Sequence, residues 1–156
     1  MENKTMIQPV KGTIFDTDRA EGVAVFVPAG LVGIRLEAEN FVHMFGVTDF
    51  RPKEMVVCSL PEPVHGKTRH LVFFDNMEKK INTVEDMRRQ VNDTLDAFAV
   101  LGAETVAMNG IRCKTFSDKM SRQEKYQRKF VEEWVGKHPG VFDAVWLVDK
   151  RGGFNK

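Results

Sequence analysis

The stretch from Asn82 to Asp149 constrains the fold more than any other part of this 156-residue chain. It reads as a helix (82–102), a short apolar strand (105–111), a loop, a second helix and a closing strand (142–149). Apolar residues in the first helix recur three or four positions apart, so they lie on one face. These residues are Val84, Met87, Val91, Leu95 and Phe98. Helix, strand, helix and strand at these lengths predict a crossover unit in a parallel sheet covered by helices.

Local signals predict where these two helices begin and end. Thr83, with Asp86 three residues later, fits an N-terminal cap, and Gly102 can supply the left-handed turn that ends the first helix. Ser121 and Glu124 have the capping-box pattern for the second helix, which carries aromatic residues on one side. Those aromatic residues are Tyr126, Phe130 and Trp134, and the predicted stop signals are Gly136 and Pro139.

Four further strands and one helix are predicted before this unit. The continuous apolar run at 23–30 is typical of a strand covered on both faces, and the segment 61–67 reads as a hairpin loop. The predicted strands are 6–15, 23–30, 54–60 and 69–75, and the predicted helix is 34–46. Six strands interleaved with three helices predict a single three-layer α/β/α domain over residues 1–156, with a mixed, mostly parallel central sheet.

Charge and composition limit the kinds of partner that we expect this protein to bind. Lys and Arg number 23 against 22 Asp and Glu, and a net charge of +1 argues against a surface dedicated to nucleic acid or acidic lipid. No apolar run approaches the roughly 20 residues that span a bilayer, so we expect no membrane partner. Cys58 and Cys113 lack metal-ligand spacing, which predicts reduced thiols, no metal site and a cytoplasmic location. We expect no cofactor, and the sequence leaves the oligomeric state open.

Ligands of open α/β sheets bind at the carboxyl ends of the strands. That rule places a cleft among residues 28–33, 109–115 and the segment after Val148. Four cationic side chains gather in the loop that leads to the second helix, where free N–H groups favour an anion. They are Arg112, Lys114, Lys119 and Arg122. The alternative is an ordinary solvated basic loop.

Catalytic signals are weaker than binding signals. Cys113 follows a predicted strand, but a nucleophilic cysteine needs a base within hydrogen-bond reach. The four histidines are scattered over different elements and nothing in the sequence pairs one with Cys113: they are His43, His65, His70 and His138. We therefore predict no catalytic role for Cys113, and whether the chain is an enzyme stays open.

The segment KGTIFDTDRAEGVAVFVPAG (11–30) resembles the opening of macro domains, the ADP-ribose-binding modules. The likeness continues in order with a glycine-containing helix start at Gly33, the hairpin, the long helix, the TVAMNGI strand and the closing segment 133–149. The resemblance is one of order and pattern over nearly the whole chain. It implies a macro-like fold and a small anionic nucleotide, ADP-ribose or a related nucleotide diphosphate, as ligand.

The chain departs from this family at its ligand-binding positions. Thr13 replaces the aspartate that meets the adenine amino group, and residues 27–30 replace Asn-Ala-Ala-Asn without an amide side chain. Of the glycine-rich diphosphate loop only Gly110 remains, although nearby cations could reach an anion. The resemblance and the strand ends together predict these ligand-binding positions: Thr13, Ala29, Gly30, Gly33, Asn109 and Gly110; the basic loop adds Arg112 and Lys114 as the source of charge. Two alternatives stay open: a macro-like scaffold that has lost ligand binding, and an unrelated α/β enzyme using Arg112 and Cys113 on an anionic substrate.

Overall fold

The computed structural model describes residues 5–27, 32–47, 55–76, 83–111, 120–150 and 154. Six strands, three α-helices and one short 3-10 helix lie in these ranges, in an order that matches the one predicted. The strands are β1 (Met6–Lys11), β2 (Gly22–Val27), β3 (Val56–Ser59), β4 (His70–Asp75), β5 (Thr105–Asn109) and β6 (Ala144–Asp149). The α-helices are α1 (Val32–His43), α2 (Val84–Leu101) and α3 (Met120–Lys137), and the 3-10 helix is Ile14–Asp16.

The strands form one sheet in the order β1-β6-β5-β2-β4-β3. Five strands are parallel, and β3 pairs antiparallel with β4 at one edge. Thr105 to Asn109 pair in parallel with Ala144 to Val148, so the predicted crossover unit is confirmed. The sheet is mixed and mostly parallel, as expected, and β1 with its Pro9 is the other edge.

Helices cover both faces of the sheet and divide the core in two. Helix α1 and the turn that follows it pack through Phe41, Val42 and Phe45 against one face, which includes Val25 and Phe73. Helices α2 and α3 pack on the opposite face against alternate residues of the same strands, through side chains that include Met87, Leu95, Phe98, Phe130 and Trp134. This alternation is why the central strands β2 and β4 read as continuous apolar runs.

Helix α2 follows its local signals at both ends. The Thr83 side chain accepts a hydrogen bond from the Asp86 N–H group, and the Asp86 carboxylate accepts one from the Thr83 N–H group. Gly102 has a φ of 75° and ends the helix. Phe98, in the last turn of the helix, is fully buried and lies against Gly22, where a Cβ atom would be 2.6 Å from the ring.

Helix α3 and the strand ends differ from the prediction. The helix begins at Met120, so Ser121 lies in its first turn instead of capping it, and Gly136 lies inside the helix. The left-handed turn is made four residues later by Gly140, with a φ of 76°. A helix tolerates an exposed glycine at a cost of about 1 kcal/mol, and the neighbouring Trp134 is held in the core.

Strand β1 ends at Lys11, earlier than predicted, because Ile14–Asp16 turn into a 3-10 helix. None of the helices in the described ranges has the length and apolar character of a membrane span.

Candidate functional site

The topology singles out the carboxyl ends of β2 and β5. These parallel strands are neighbours, but α1 leaves β2 on one face towards β3 and α3 leaves β5 on the other face towards β6. Connections that diverge in this way open a crevice at the ends of the two strands, which is where open α/β sheets bind ligands.

The two strands also part before they end. Their parallel pairing covers three residues of each strand and stops at Ala24 and Met108. Strand β2 nevertheless stays paired with β4 as far as Val27, and β5 stays paired with β6 as far as Asn109. The strands therefore separate between β2 and β5, where the two connections diverge. We call this line between the two strands the seam.

The side chain of Asn109 bridges this seam. Its Oδ1 atom accepts a hydrogen bond from the Phe26 N–H group at 2.8 Å, and its Nδ2 atom donates to the Phe26 carbonyl at 2.9 Å. The amide thus replaces the ladder bonds that the parted backbones no longer make. Asn109 is a predicted ligand-binding residue, but its amide group is engaged with the protein itself.

Gln127 of α3 holds the same strand end from the other side. Its Nε2 atom donates to the Asn109 carbonyl at 2.9 Å, and its Oε1 atom accepts from the Ile111 N–H group at 2.7 Å. The side chain is completely buried. Gly110 lies between the two backbone groups that Gln127 binds, and a Cβ atom at Gly110 would meet no atom of the described residues within 4 Å. The backbone of Gly110 therefore borders open space.

A second amide pair fixes the end of β4. Asn76 and Gln90 exchange two side-chain hydrogen bonds, at 3.0 and 2.9 Å, and the Asn76 N–H group donates to the Val27 carbonyl. Asp75 is buried beside it at the end of β4. Sequence reasoning missed the amides of Asn76, Gln90 and Gln127. The available signal was a glutamine on the buried side of each long helix, where an apolar residue is the usual choice.

The other predicted residues are only partly described. Thr13 caps the 3-10 helix, with its side chain accepting a hydrogen bond from the Phe15 N–H group at 3.4 Å. Ile14 shares a core cluster with Ala107 of β5, so this segment crosses the α1 face towards the crevice strands. Gly33 lies in the first turn of α1. Ala29, Gly30, Arg112, Cys113 and Lys114 lie outside the described residues.

Perturbed titratable groups lie at the opposite end of the sheet. His70, the first residue of β4, is hydrogen-bonded through Nδ1 to the Ser59 hydroxyl at 2.8 Å, while Nε2 accepts from the Arg69 guanidinium at 3.3 Å. Burial lowers the pKa of His70, the Arg69 charge lowers it further, and the Glu21 carboxylate opposes both.

The other perturbed group is Cys58 of β3, and burial raises its pKa. Its Sγ atom donates to the Phe45 carbonyl at 3.1 Å. A thiol with a raised pKa carries little thiolate, which is the nucleophilic form. Across the described ranges, no three His, Cys, Asp or Glu side chains are grouped so that they could hold a metal ion. The described amide side chains at these strand ends are hydrogen-bonded within the protein, and the backbone of Gly110 faces space that no described residue fills.

Comparisons by sequence find no family model and no curated protein that match the chain. Comparisons of structure find macrodomains. The Trypanosoma brucei macrodomain in complex with ADP matches with a TM-score of 0.66 and 8% identity, covering 96% of this chain and 66% of that chain. The same macrodomain in complex with ADP-ribose matches with a TM-score of 0.64 and 10% identity, covering 95% and 67%. The macrodomain of Mycobacterium tuberculosis DarG matches with a TM-score of 0.60 and 16% identity, covering 92% and 97%.

These matches show the fold. The chain has the macrodomain fold, in the divergent form that its sequence predicts, and it spans slightly less than two thirds of the first Trypanosoma brucei chain. At identities of 8% to 16%, these matches show a shared backbone arrangement alone.

Proposed function

We propose that this chain binds ADP-ribose or a related nucleotide diphosphate in the crevice between the carboxyl ends of β2 and β5. The observation that carries the proposal is the separation of these strands after Ala24 and Met108 at the switch point of the sheet. Support comes from the fold, since solved macrodomains include one in complex with ADP-ribose. Two backbone positions are suited to close approach: Gly110 borders space that no described residue fills, and Gly33 lies in the first turn of α1.

The proposal gives the predicted residues different roles. Arg112 supplies most of the charge that meets the diphosphate, because its planar guanidinium can hold two anionic oxygens in fixed geometry, and Lys114 assists it. Ala29 and Gly30 contribute backbone beside the ligand, and Thr13 approaches the base. Asn109 contributes its main chain only, because its amide is bound to Phe26.

Isothermal titration calorimetry with ADP-ribose, ADP, AMP, NAD and phosphate tests this proposal. We expect binding of at least one nucleotide, and we expect Arg112→Ala to weaken it about tenfold or more, since a charge-assisted contact contributes about 1.5–3 kcal/mol. Arg69→Ala is the matched control, because Arg69 immediately precedes β4 and therefore lies at the opposite end of the sheet from the crevice. Arg112→Ala should leave the melting temperature nearly unchanged.

A macro-like scaffold without a ligand is the second candidate. The engagement of the Asn109 amide by Phe26 favours it, because that amide is unavailable to a ligand. The same titration distinguishes the two candidate functions. If no nucleotide binds the wild-type chain at millimolar concentration, the nucleotide proposal fails and the scaffold takes its place.

A further inference from the structure

Gln127 is a buried polar side chain whose position packing alone does not explain. It is a neutral amide on the inner face of α3 and is completely buried; the next inward positions carry Phe130 and Val131, and the preceding ones carry the buried polar residues Gln123 and Glu124. Burying an amide is unfavourable unless its hydrogen bonds are made, and here both are made to the main chain at the end of β5. An apolar residue at this position would leave the Asn109 carbonyl and the Ile111 N–H group without these partners.

The end of β5 is therefore fixed by hydrogen bonds on two sides. Gln127 fixes the carbonyl of Asn109 and the N–H group of Ile111, while the Asn109 side chain fixes the same residue to Phe26 across the seam. Gly110 therefore lies at the crevice between two neighbours that are fixed by hydrogen bonds. No described residue occupies the space where its side chain would be. When the backbone of a site is already fixed, less binding free energy is lost in ordering it, so the ligand binds more tightly.

We propose that Gln127 is a positioning residue for the crevice, which holds Gly110 so that its bare backbone forms a rigid part of the ligand-binding rim. Gln127 does not touch the ligand in this arrangement and acts through Asn109 and Ile111. The inference rests on the proposed function, because it requires a nucleotide in the crevice. It adds Gln127, which is not among the ligand-site residues predicted from sequence, and it gives Gly110 the role of a rigid backbone contact.

The first test is Gln127→Met, which keeps length and shape but removes both hydrogen bonds. We expect ADP-ribose to bind about tenfold more weakly, because the rim must be ordered when the ligand binds. Hydrogen exchange of the Ile111 amide should become faster at a temperature at which the variant is folded. Thr68→Val is the matched control: it removes one buried hydrogen bond, from the Thr68 hydroxyl to the Ala20 carbonyl at 2.6 Å, at the opposite end of the sheet. It should lower stability without changing affinity.

The second test is Gly110→Ala, which also serves if Gln127→Met does not fold. The added methyl group meets no atom of the described residues within 4 Å, so the melting temperature should be nearly unchanged. The same methyl group would stand in the ligand's space, and we expect ADP-ribose binding to fall about tenfold or more.

The outcomes distinguish this inference from the proposed function. If the wild-type chain does not bind a nucleotide, the proposed function and the inference both fail. If the wild-type chain binds and Gln127→Met binds equally well, or weakens no more than Thr68→Val, the positioning role is overturned alone. If Gly110→Ala binds as tightly as the wild type, Gly110 is not part of the rim and the inference is again overturned.

Discussion

Neutral amide side chains complete the backbone hydrogen bonding at the ends of two central strands. The Asn109 side chain bonds the main chain of Phe26 across the seam, and the Gln127 side chain bonds the main chain of Asn109 and Ile111. A buried main-chain group without a partner costs about 1–3 kcal/mol, and an amide can satisfy a donor and an acceptor at once without bringing in a charge. These residues let the strands separate inside the protein while their polar groups stay satisfied.

At the same scale, His70 should make stability depend on pH. Its pKa in the folded protein lies below the ordinary value of 6.5, so the unfolded chain binds the proton more readily. The stability contributed by the neutral imidazole is therefore complete above pH 6.5 and is lost as the pH falls from there towards the lower folded pKa. Urea unfolding at a series of pH values should show this loss in the wild type and a smaller loss in His70→Gln.

An NMR titration of the His70 ring provides an independent check of the sign. Its midpoint should lie below 6.5 in the folded protein. A midpoint above that value would contradict the assigned effect of burial and of the Arg69 charge.

At the scale of elements, the contact between α2 and β2 depends on a glycine facing a phenylalanine. Phe98 is fully buried, and Phe98→Ala should lower the free energy of unfolding by about 3–5 kcal/mol. Gly22→Ala should also destabilise, because its Cβ atom would lie 2.6 Å from the Phe98 ring. The double variant should lose less than the sum of the two, since the cavity left by Phe98 accommodates the new methyl group.

A double-mutant cycle by urea denaturation measures this coupling. Gly22→Ala combined with Phe41→Ala is the control, because Phe41 packs on the opposite face of the sheet with α1. That pair should be additive within about 0.5 kcal/mol. Additivity of Gly22→Ala with Phe98→Ala would mean that the two residues do not share this contact.

At the scale of the whole molecule, the ligand should stabilise the domain because its crevice is built on the central strands. Strands β2 and β5 hold the two sides of the sheet together, so the crevice exists only in the folded chain. A ligand at one hundred times its dissociation constant should raise the free energy of unfolding by about 2.7 kcal/mol. Thermal unfolding with increasing ADP-ribose should show the corresponding shift, and a constant melting temperature at saturating ligand would contradict binding to the folded form.

The sequence by itself determined the elements and their order. The periodicity of α2, the Thr83 cap, the Gly102 turn and the apolar runs of the strands are local signals, because each depends on residues within a few positions of one another. The parallel pairing of β5 with β6 followed from the length of the crossover between them. The resemblance in order and pattern to macro domains added the fold, which the solved structures confirm.

The tertiary structure alone decided the roles of individual polar residues. Asn109 reads from sequence as a ligand contact, but its amide partners lie 83 positions earlier in the chain, at Phe26. The helical position of Gln127 gives no sign that it binds the main chain at 109 and 111. Ser121 and Gly136 have the residue types of helix ends, but α3 extends past both. Hydrogen bonds between distant segments depend on how the elements pack, and local sequence carries no information about that distance.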